Sequence, residues 1–273
     1  MFPAAVAQLR CPVCHHRMHL DGPALRCSNR HSFDLARQGY VDLTAGRVTH
    51  EGDTADMVAA RAHLLAQGYF DAVTDAIRET VLTKYQIMIE VGAGTGHYLA
   101  RLLEADGAAI GLAIDVSKAA LRRAARAHPR MAAVRADVWR GLPIADGAAD
   151  LVLDVFAPRS GEEFARILAP GGAVIVVTPE PGHLRELVGA AGLITVDPEK
   201  RERLAATLEP WLRLESARLI EATVQMPRKD AESVIAMGPS ARHVDAAAVA
   251  GVLAKMPEPI AATISVRLSV WRV

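Results

Sequence analysis

Aromatic residues make up only 4% of the 273-residue chain, cysteines number three, and no sign of charge is in excess, since 31 Lys+Arg stand against 31 Asp+Glu. The zero balance excludes the strongly basic footprint that by itself marks a nucleic-acid binder, although a local basic patch can sit inside a neutral total. No run of about 18 uninterrupted apolar residues occurs, and residues 1–10 lack the charged start, long apolar middle and small-residue cleavage site of a secretory signal. Together these absences lead to the expectation of a cytoplasmic protein with no membrane partner. The odd cysteine count, confined to Cys11, Cys14 and Cys27, excludes a disulfide framework. Such crowding of thiols points to metal.

Cys11-Pro12-Val13-Cys14, twelve further residues, and then Cys27 with His31 four positions on have the spacing of a small zinc knuckle. A Cys-x-x-Cys turn lets two thiolates reach one ion, and a second pair completes a tetrahedral Cys3His shell suited to zinc. His15, His16 and His19 lie nearby, but His31 best repeats the pair geometry. A closed four-ligand shell is structural, and a segment of about 25 residues depends on its metal for folding energy.

Further along, Met57, Ala60, Arg61, Leu64 and Leu65 recur at helical spacing, and Val73, Ile77, Val81 and Leu82 continue the pattern after Gly68. Two helices are therefore expected between the knuckle and the rest of the chain. Residues 86–91 form a short apolar run that enters Gly92-Ala93-Gly94-Thr95-Gly96 and then a helical stretch, His97 to Ala105. Strand, glycine turn and helix in that order bring backbone close to a ligand at a helix N-terminus. A second strand over 109–114 ends in Asp115, 19 residues after Gly96, where a carboxylate can accept both hydrogen bonds of a ribose diol. The rest alternates strands (150–155, 173–178, 217–226, 260–273) with helices (160–168, 183–190, 230–237, 245–254), the pattern of an α/β sheet covered on both faces. An amphipathic helix over 199–209 is placed at the pocket entrance.

The spacing Glu90-x-Gly92-x-Gly94-x-Gly96, with Asp115 after the second strand and Asp137 after a third, departs from the dinucleotide fingerprint and resembles class I S-adenosylmethionine-dependent methyltransferases. That resemblance implies a seven-stranded Rossmann-like sheet. It puts the glycine loop and Glu90 at the amino-acid part of the cofactor, Asp115-Val116 at the ribose, and Asp137-Val138 beside the adenine. The knuckle followed by Phe33-Asp34-Leu35-Ala36-Arg37-Gln38-Gly39-Tyr40-Val41, Gly52-Asp53-Thr54-Ala55-Asp56-Met57, Ala60-Arg61, Phe156-Ala157-Pro158-Arg159, Thr178-Pro179 with His183, and Ala236-Met237-Gly238-Pro239-Ser240 resembles the RlmA/TlrB family of 23S rRNA guanine-N1 methyltransferases. The resemblance runs essentially the full length, is nearest the actinomycete macrolide-resistance branch, and implies a homodimer. It divides the chain into a zinc module (1–46), a helical connector on the substrate side (47–84) and a methyltransferase domain (85–273).

Several positions depart from the family. Its Gly-His-Tyr is here Gly68-Tyr69-Phe70, its basic loop is short with Arg47 set against Glu51, Asp53 and Asp56, the asparagine that its macrolide-resistance branch carries before Phe-Ala-Pro is Asp154, and its tryptophan after Gly-Pro-Ser is Arg242. Loss of cations and a stacking ring weakens the case for RNA, which is bound through phosphate neutralisation and base stacking. Since some actinomycete relatives of the family methylate C3 of tryptophan-derived indoles, the favoured reading is a small indole substrate, with the rRNA hairpin as alternative. Candidate bases are Asp154, His183, Tyr69 and Tyr40.

Overall fold

The computed structural model describes residues 2–44, 46, 52–81, 84–191, 200–238 and 245–273. Arg47, Glu51, Leu82, Pro239, Ser240 and Arg242, which the sequence reading drew on, lie outside the described residues.

A short helix α1 (Phe2–Ala5) leads into a three-stranded antiparallel sheet, β1 (Met18–Asp21), β2 (Ala24–Cys27) and β3 (Ser32–Asp34). Strand β4 (Tyr40–Asp42) and helices α2 (Ala55–Ala66) and α3 (Asp71–Thr80) follow. Then come β5 (Ile87–Val91), α4 (His97–Ala105), β6 (Ile110–Asp115), α5 (Lys118–Ala127), β7 (Met131–Arg135), β8 (Ala149–Val155), α6 (Gly161–Ile167) and β9 (Leu168–Pro179). The chain continues as α7 (Arg185–Ala191), α8 (Lys200–Leu208), β10 (Arg213–Met226), α9 (Arg228–Met237), α10 (Ala246–Leu253) and β11 (Ile260–Arg272). Several helices start where a side chain accepts an otherwise orphaned N–H: Thr54 from Met57, Ser117 from Ala120, Ser160 from Glu163 and Asp245 from Ala247.

The large sheet runs β10-β11-β9-β8-β5-β6-β7-β4. Neighbours from β9 to β4 are parallel, whereas β11 is antiparallel to both β9 and β10. Progression outward from β5 goes one way through β6 and β7 and the other way through β8 and β9. The reversal lies between β5 and β8, where open α/β sheets bind ligands beyond their strand ends.

Eight strands rather than the expected seven make this sheet, because β4 pairs in parallel with β7 through Tyr40↔Ala133, Val41↔Val134 and Asp42↔Arg135. Asp42 also takes a 2.8 Å ion pair from Arg135. The first 46 residues are thus sewn to the rest. Between β7 and β8 the chain makes only a 3-10 turn, Val138–Arg140. The amino-terminal segment covers sheet near that crossover: Arg10 N–H donates to the Pro143 carbonyl (2.9 Å), and Ala145 N–H to that of Gln8 (2.8 Å). Leu9, Cys11, Leu25 and Cys27 share one buried cluster with Ile89, Leu112, Val134 and Phe164. The opposite sheet face packs against α3, α4, α5, α9 and α10, with Ile77, Leu99, Leu121, Val234 and Leu253 at the core.

Helix α8 differs from its expected place. It buries Leu204 and Leu208 beside α6 in the cluster that holds Trp271, and it lines neither cavity described below. Among the described residues, no helix is long and apolar enough to cross a membrane.

Candidate cofactor and substrate cavities

Strand β5 ends in a loop whose three glycines all take left-handed backbone: Gly92 (φ 66°), Gly94 (φ 53°) and Gly96 (φ 74°). At Gly92 the requirement is double, since a Cβ there would lie 2.4 Å from Ala157 Cβ in the loop after β8. Beneath the loop the buried Glu90 accepts the Leu99 N–H (3.2 Å), tying β5 to the first turn of α4. Burial, aided by the Asp115 and Asp154 carboxylates, pushes the Glu90 carboxyl up to about 8. Asp115 accepts the N–H groups of Gly94 (2.8 Å) and Ser117 (2.7 Å), so it fixes the loop as well as facing the space beyond β6. Burial raises its pKa, with those two hydrogen bonds opposing.

Two cavities open on this loop. One encloses about 640 Å³ and is lined by Asp53, Asp115, Val116, Asp137 and Val138. The other encloses about 290 Å³ between Phe70, Glu90, Tyr98, His183 and Val234. They meet at Arg61, Gly92, Phe156 and Met237. The larger lies in the size range of ordinary ligand pockets. Asp137 Oδ1 accepts the Trp139 N–H (3.0 Å), while its Oδ2 is buried with no hydrogen-bond partner. Such an acceptor calls for a ligand donor. A nucleoside's amine at Asp137 and its diol near Asp115 match this donor–acceptor set, so the residues present fit S-adenosylmethionine.

The four candidate bases part company. His183 lines the smaller cavity, 5.7 Å ring to ring from Phe156, and its Nδ1 accepts the Ser265 N–H (3.2 Å). In the neutral ring the proton therefore sits on Nε2, which makes His183 a hydrogen-bond donor at that atom. Asp154 is fully buried, ion-paired with Arg159 (3.3 Å), and lines neither cavity. Its carboxylate holds an internal cation instead of meeting substrate, which removes the physical support for an acid-assisted indole reaction. Tyr69 donates to Asp230 Oδ2 (2.7 Å), and burial plus that carboxylate raise its hydroxyl pKa to about 12. His63 Nε2 meets the other Asp230 oxygen at 2.8 Å, so this cluster joins α2 to α9. Tyr40 is buried in β4 and lines neither cavity.

Sequence reading missed Arg61 and Phe156 as site residues. Arg61 belonged to the apolar stripe of α2, and a cation on such a stripe is a signal in itself. Phe156 was noted as a family marker, but its left-handed backbone (φ 56°), which sets the ring where the two cavities meet, has no signature in an aromatic residue.

At the amino terminus, one ligand atom from each of Cys11, Cys14, Cys27 and His31 falls within 4.8 Å of all the others. Cys14 Sγ lies 3.6 Å from Cys27 Sγ, and His31 Nδ1 lies 3.5 Å and 3.4 Å from the sulfurs of Cys11 and Cys27. A tetrahedral zinc with ordinary bond lengths gives sulfur–sulfur edges of about 3.8 Å and sulfur–nitrogen edges of about 3.5 Å. The set fits zinc, through Nδ1 of the histidine.

Comparison with known proteins agrees with both halves. Residues 9–45 match the RlmA N-terminal zinc ribbon, and residues 88–172 match a methyltransferase domain. The 23S rRNA (guanine(748)-N(1))-methyltransferase of Streptomyces fradiae is 44% identical, covering 98% of this chain and 97% of that protein. A protein of Micromonospora griseorubida assigned as a 23S rRNA (guanine-N1)-methyltransferase is 43% identical over 100% of this chain and 99% of its own. Among solved structures, the phosphoethanolamine N-methyltransferase 2 of Haemonchus contortus, in complex with S-adenosylmethionine, superposes with a TM-score of 0.50 at 15% identity, covering 80% of this chain and 57% of that one. That likeness bears on the fold alone. With a zinc ribbon of the RlmA type, a methyltransferase sheet, and identity above two-fifths from end to end, this chain belongs to the RlmA-type 23S rRNA (guanine-N1)-methyltransferase family and is an S-adenosylmethionine-dependent methyltransferase.

Proposed function

We propose that the protein methylates N1 of a guanine in 23S rRNA. The observation that carries this reading is the end-to-end match, zinc ribbon included, to relatives named for that reaction. It replaces the indole substrate favoured by the sequence departures, for which Asp154 was the chemical argument.

The smaller cavity suits the step. Walls of Phe70, Tyr98 and Phe156 form a slot for one flat heterocycle, too small for a helix, so the base would enter splayed out from its strand. Bound in the adjoining cavity, S-adenosylmethionine supplies a methyl group on a sulfonium. Transfer breaks the sulfur–carbon bond, forms an N1–carbon bond and releases the N1 proton. The chain's part is chiefly to hold N1 in line with that methyl. His183, with its proton on Nε2, offers a donor to the guanine O6, which favours loss of the neighbouring N1 proton.

The test is transfer of labelled methyl into a 23S rRNA hairpin transcript and, in parallel, into tryptamines and tryptophan cyclodipeptides. Label in the RNA, with a reverse-transcription stop at one guanine that vanishes when that guanine is replaced by adenine, is the expected result. Label confined to the indoles would overturn it.

A further inference from the structure

The cofactor carries an amino-acid end with a carboxylate, yet the larger cavity that suits it is lined with the acids Asp53, Asp115 and Asp137, and the smaller one that adjoins it with Glu90. Among the described residues lining either cavity, Arg61 is the one Lys or Arg, and it lines both. It reaches the glycine loop from α2: a Cβ on Gly94 would lie 3.8 Å from Arg61 Cδ and 3.9 Å from Nη1. The absence of that Cβ leaves the side chain of a neighbouring helix as the loop's wall.

The guanidinium is held but not saturated. Nη2 pairs with Asp53 (2.7 Å) and donates to the Met237 carbonyl at the end of α9 (3.2 Å). Nε is buried with no hydrogen-bond partner. An arginine has five N–H donors in a fixed fork that matches a carboxylate. A buried donor left unmade costs free energy, and a ligand oxygen arriving there recovers it. Asp53 neutralises the cation, but it also orients it, as a second carboxylate does for arginines that bind anions.

We infer that Arg61 receives the carboxylate of S-adenosylmethionine, and that the Asp53 and Met237 contacts aim it. Position, charge and an unused donor agree on the role. The assignment is independent of which molecule accepts the methyl group. It gives α2 a part in cofactor binding, although this helix lies outside the strand–glycine–helix unit that holds the rest of the cofactor.

Calorimetric binding of two probes to the full chain tests it. S-adenosylhomocysteine keeps the amino-acid end, whereas 5′-methylthioadenosine keeps only nucleoside and thioether. Arg61→Ala should weaken S-adenosylhomocysteine by roughly 10- to 100-fold, the worth of a charge-assisted hydrogen bond, and leave methylthioadenosine within about threefold. Arg61→Lys should fall between. Unchanged S-adenosylhomocysteine binding, or equal loss for both probes, would overturn the assignment, the second outcome marking a merely structural residue. Should Arg61→Ala fail to fold, the shorter, neutral but still polar Arg61→Gln carries the same comparison with the same two outcomes.

Discussion

Adding one methyl group at Gly92 tests the geometry of the site more sharply than removing any side chain. Two penalties act together in Gly92→Ala. The backbone sits at φ 66°, where an L-residue costs about 1–2 kcal/mol. In addition the new Cβ would lie 2.4 Å from Ala157 Cβ, far inside contact distance, and overpacking of this kind costs about 1–3 kcal/mol. The sum, roughly 2–5 kcal/mol, corresponds to a melting shift of roughly 4–20 °C for a domain of this size. Two controls separate the penalties. Gly171 has φ 80° with nothing within 4 Å of a Cβ, so Gly171→Ala bears only the backbone cost. Gly107 has open space and no left-handed backbone, so Gly107→Ala should melt like the parent. Relief of the Gly92 clash moves Ala157, and with it Phe156, whose ring lines both cavities. Thermal melts should therefore rank Gly107→Ala, Gly171→Ala and Gly92→Ala in order of increasing loss. Calorimetry should show weakened S-adenosylhomocysteine binding for Gly92→Ala alone. A Gly92→Ala protein that melts with Gly171→Ala and binds normally would refute the close approach of the two loops.

Other expectations follow from the buried charges and the metal shell. Cys14→Ala should lose zinc, read by elemental analysis, and should lower the single melting transition of the whole chain, because Leu9 and Leu25 share a core with the sheet; an unchanged transition would mean the ribbon is energetically separate. Glu90 keeps its proton in the folded state up to about 8, while the unfolded chain releases it near 4.5, so its effect is to lower stability as pH rises through that window, by at most about 1.4 kcal/mol per unit. Glu90→Gln should flatten the fall in melting temperature between those limits, and parallel curves for parent and variant would contradict the burial argument. Asp154→Asn strands the mostly buried Arg159 and should cost about 3–5 kcal/mol. The molecules that do fold should keep methyl transfer within about tenfold, against the roughly 10²–10⁴-fold loss of a true general base.

Local signals carried most of the fold. The glycine loop, the apolar runs of β5 and β9, and the polar caps before α6 and α10 depend on neighbours a few residues away, so their elements fell within a few positions of where the sequence put them, except that β9 and β10 begin several residues earlier. The place of strand β4 in the large sheet was opaque, because its three residues pair with β7, some ninety positions later. The same distance hid the roles of acids. A carboxylate at a strand end reads alike whether it lines a cavity, as Asp115 does, or faces an internal arginine, as Asp154 does. The metal ligands were legible because one ion imposes its own spacing on them. Arg61 lies 29 positions before Glu90, in a helix whose pattern spoke only of packing.

The pairing of Tyr40–Asp42 with the sheet bears on how such proteins can be recombined. Cutting away the ribbon would strip hydrogen-bond partners from β7 and leave an open edge, the sort of surface on which chains aggregate. Ribbon and catalytic half are therefore not interchangeable cassettes. A chimera joined between β3 and β4 would leave the edge strand with its own β7 but set a foreign Leu9 against the native Ile144. Crossing over after Asp42 instead imports a foreign edge strand. Neither junction is neutral, so the two halves are expected to have diverged as one inherited unit, with substitutions along this seam matched across it.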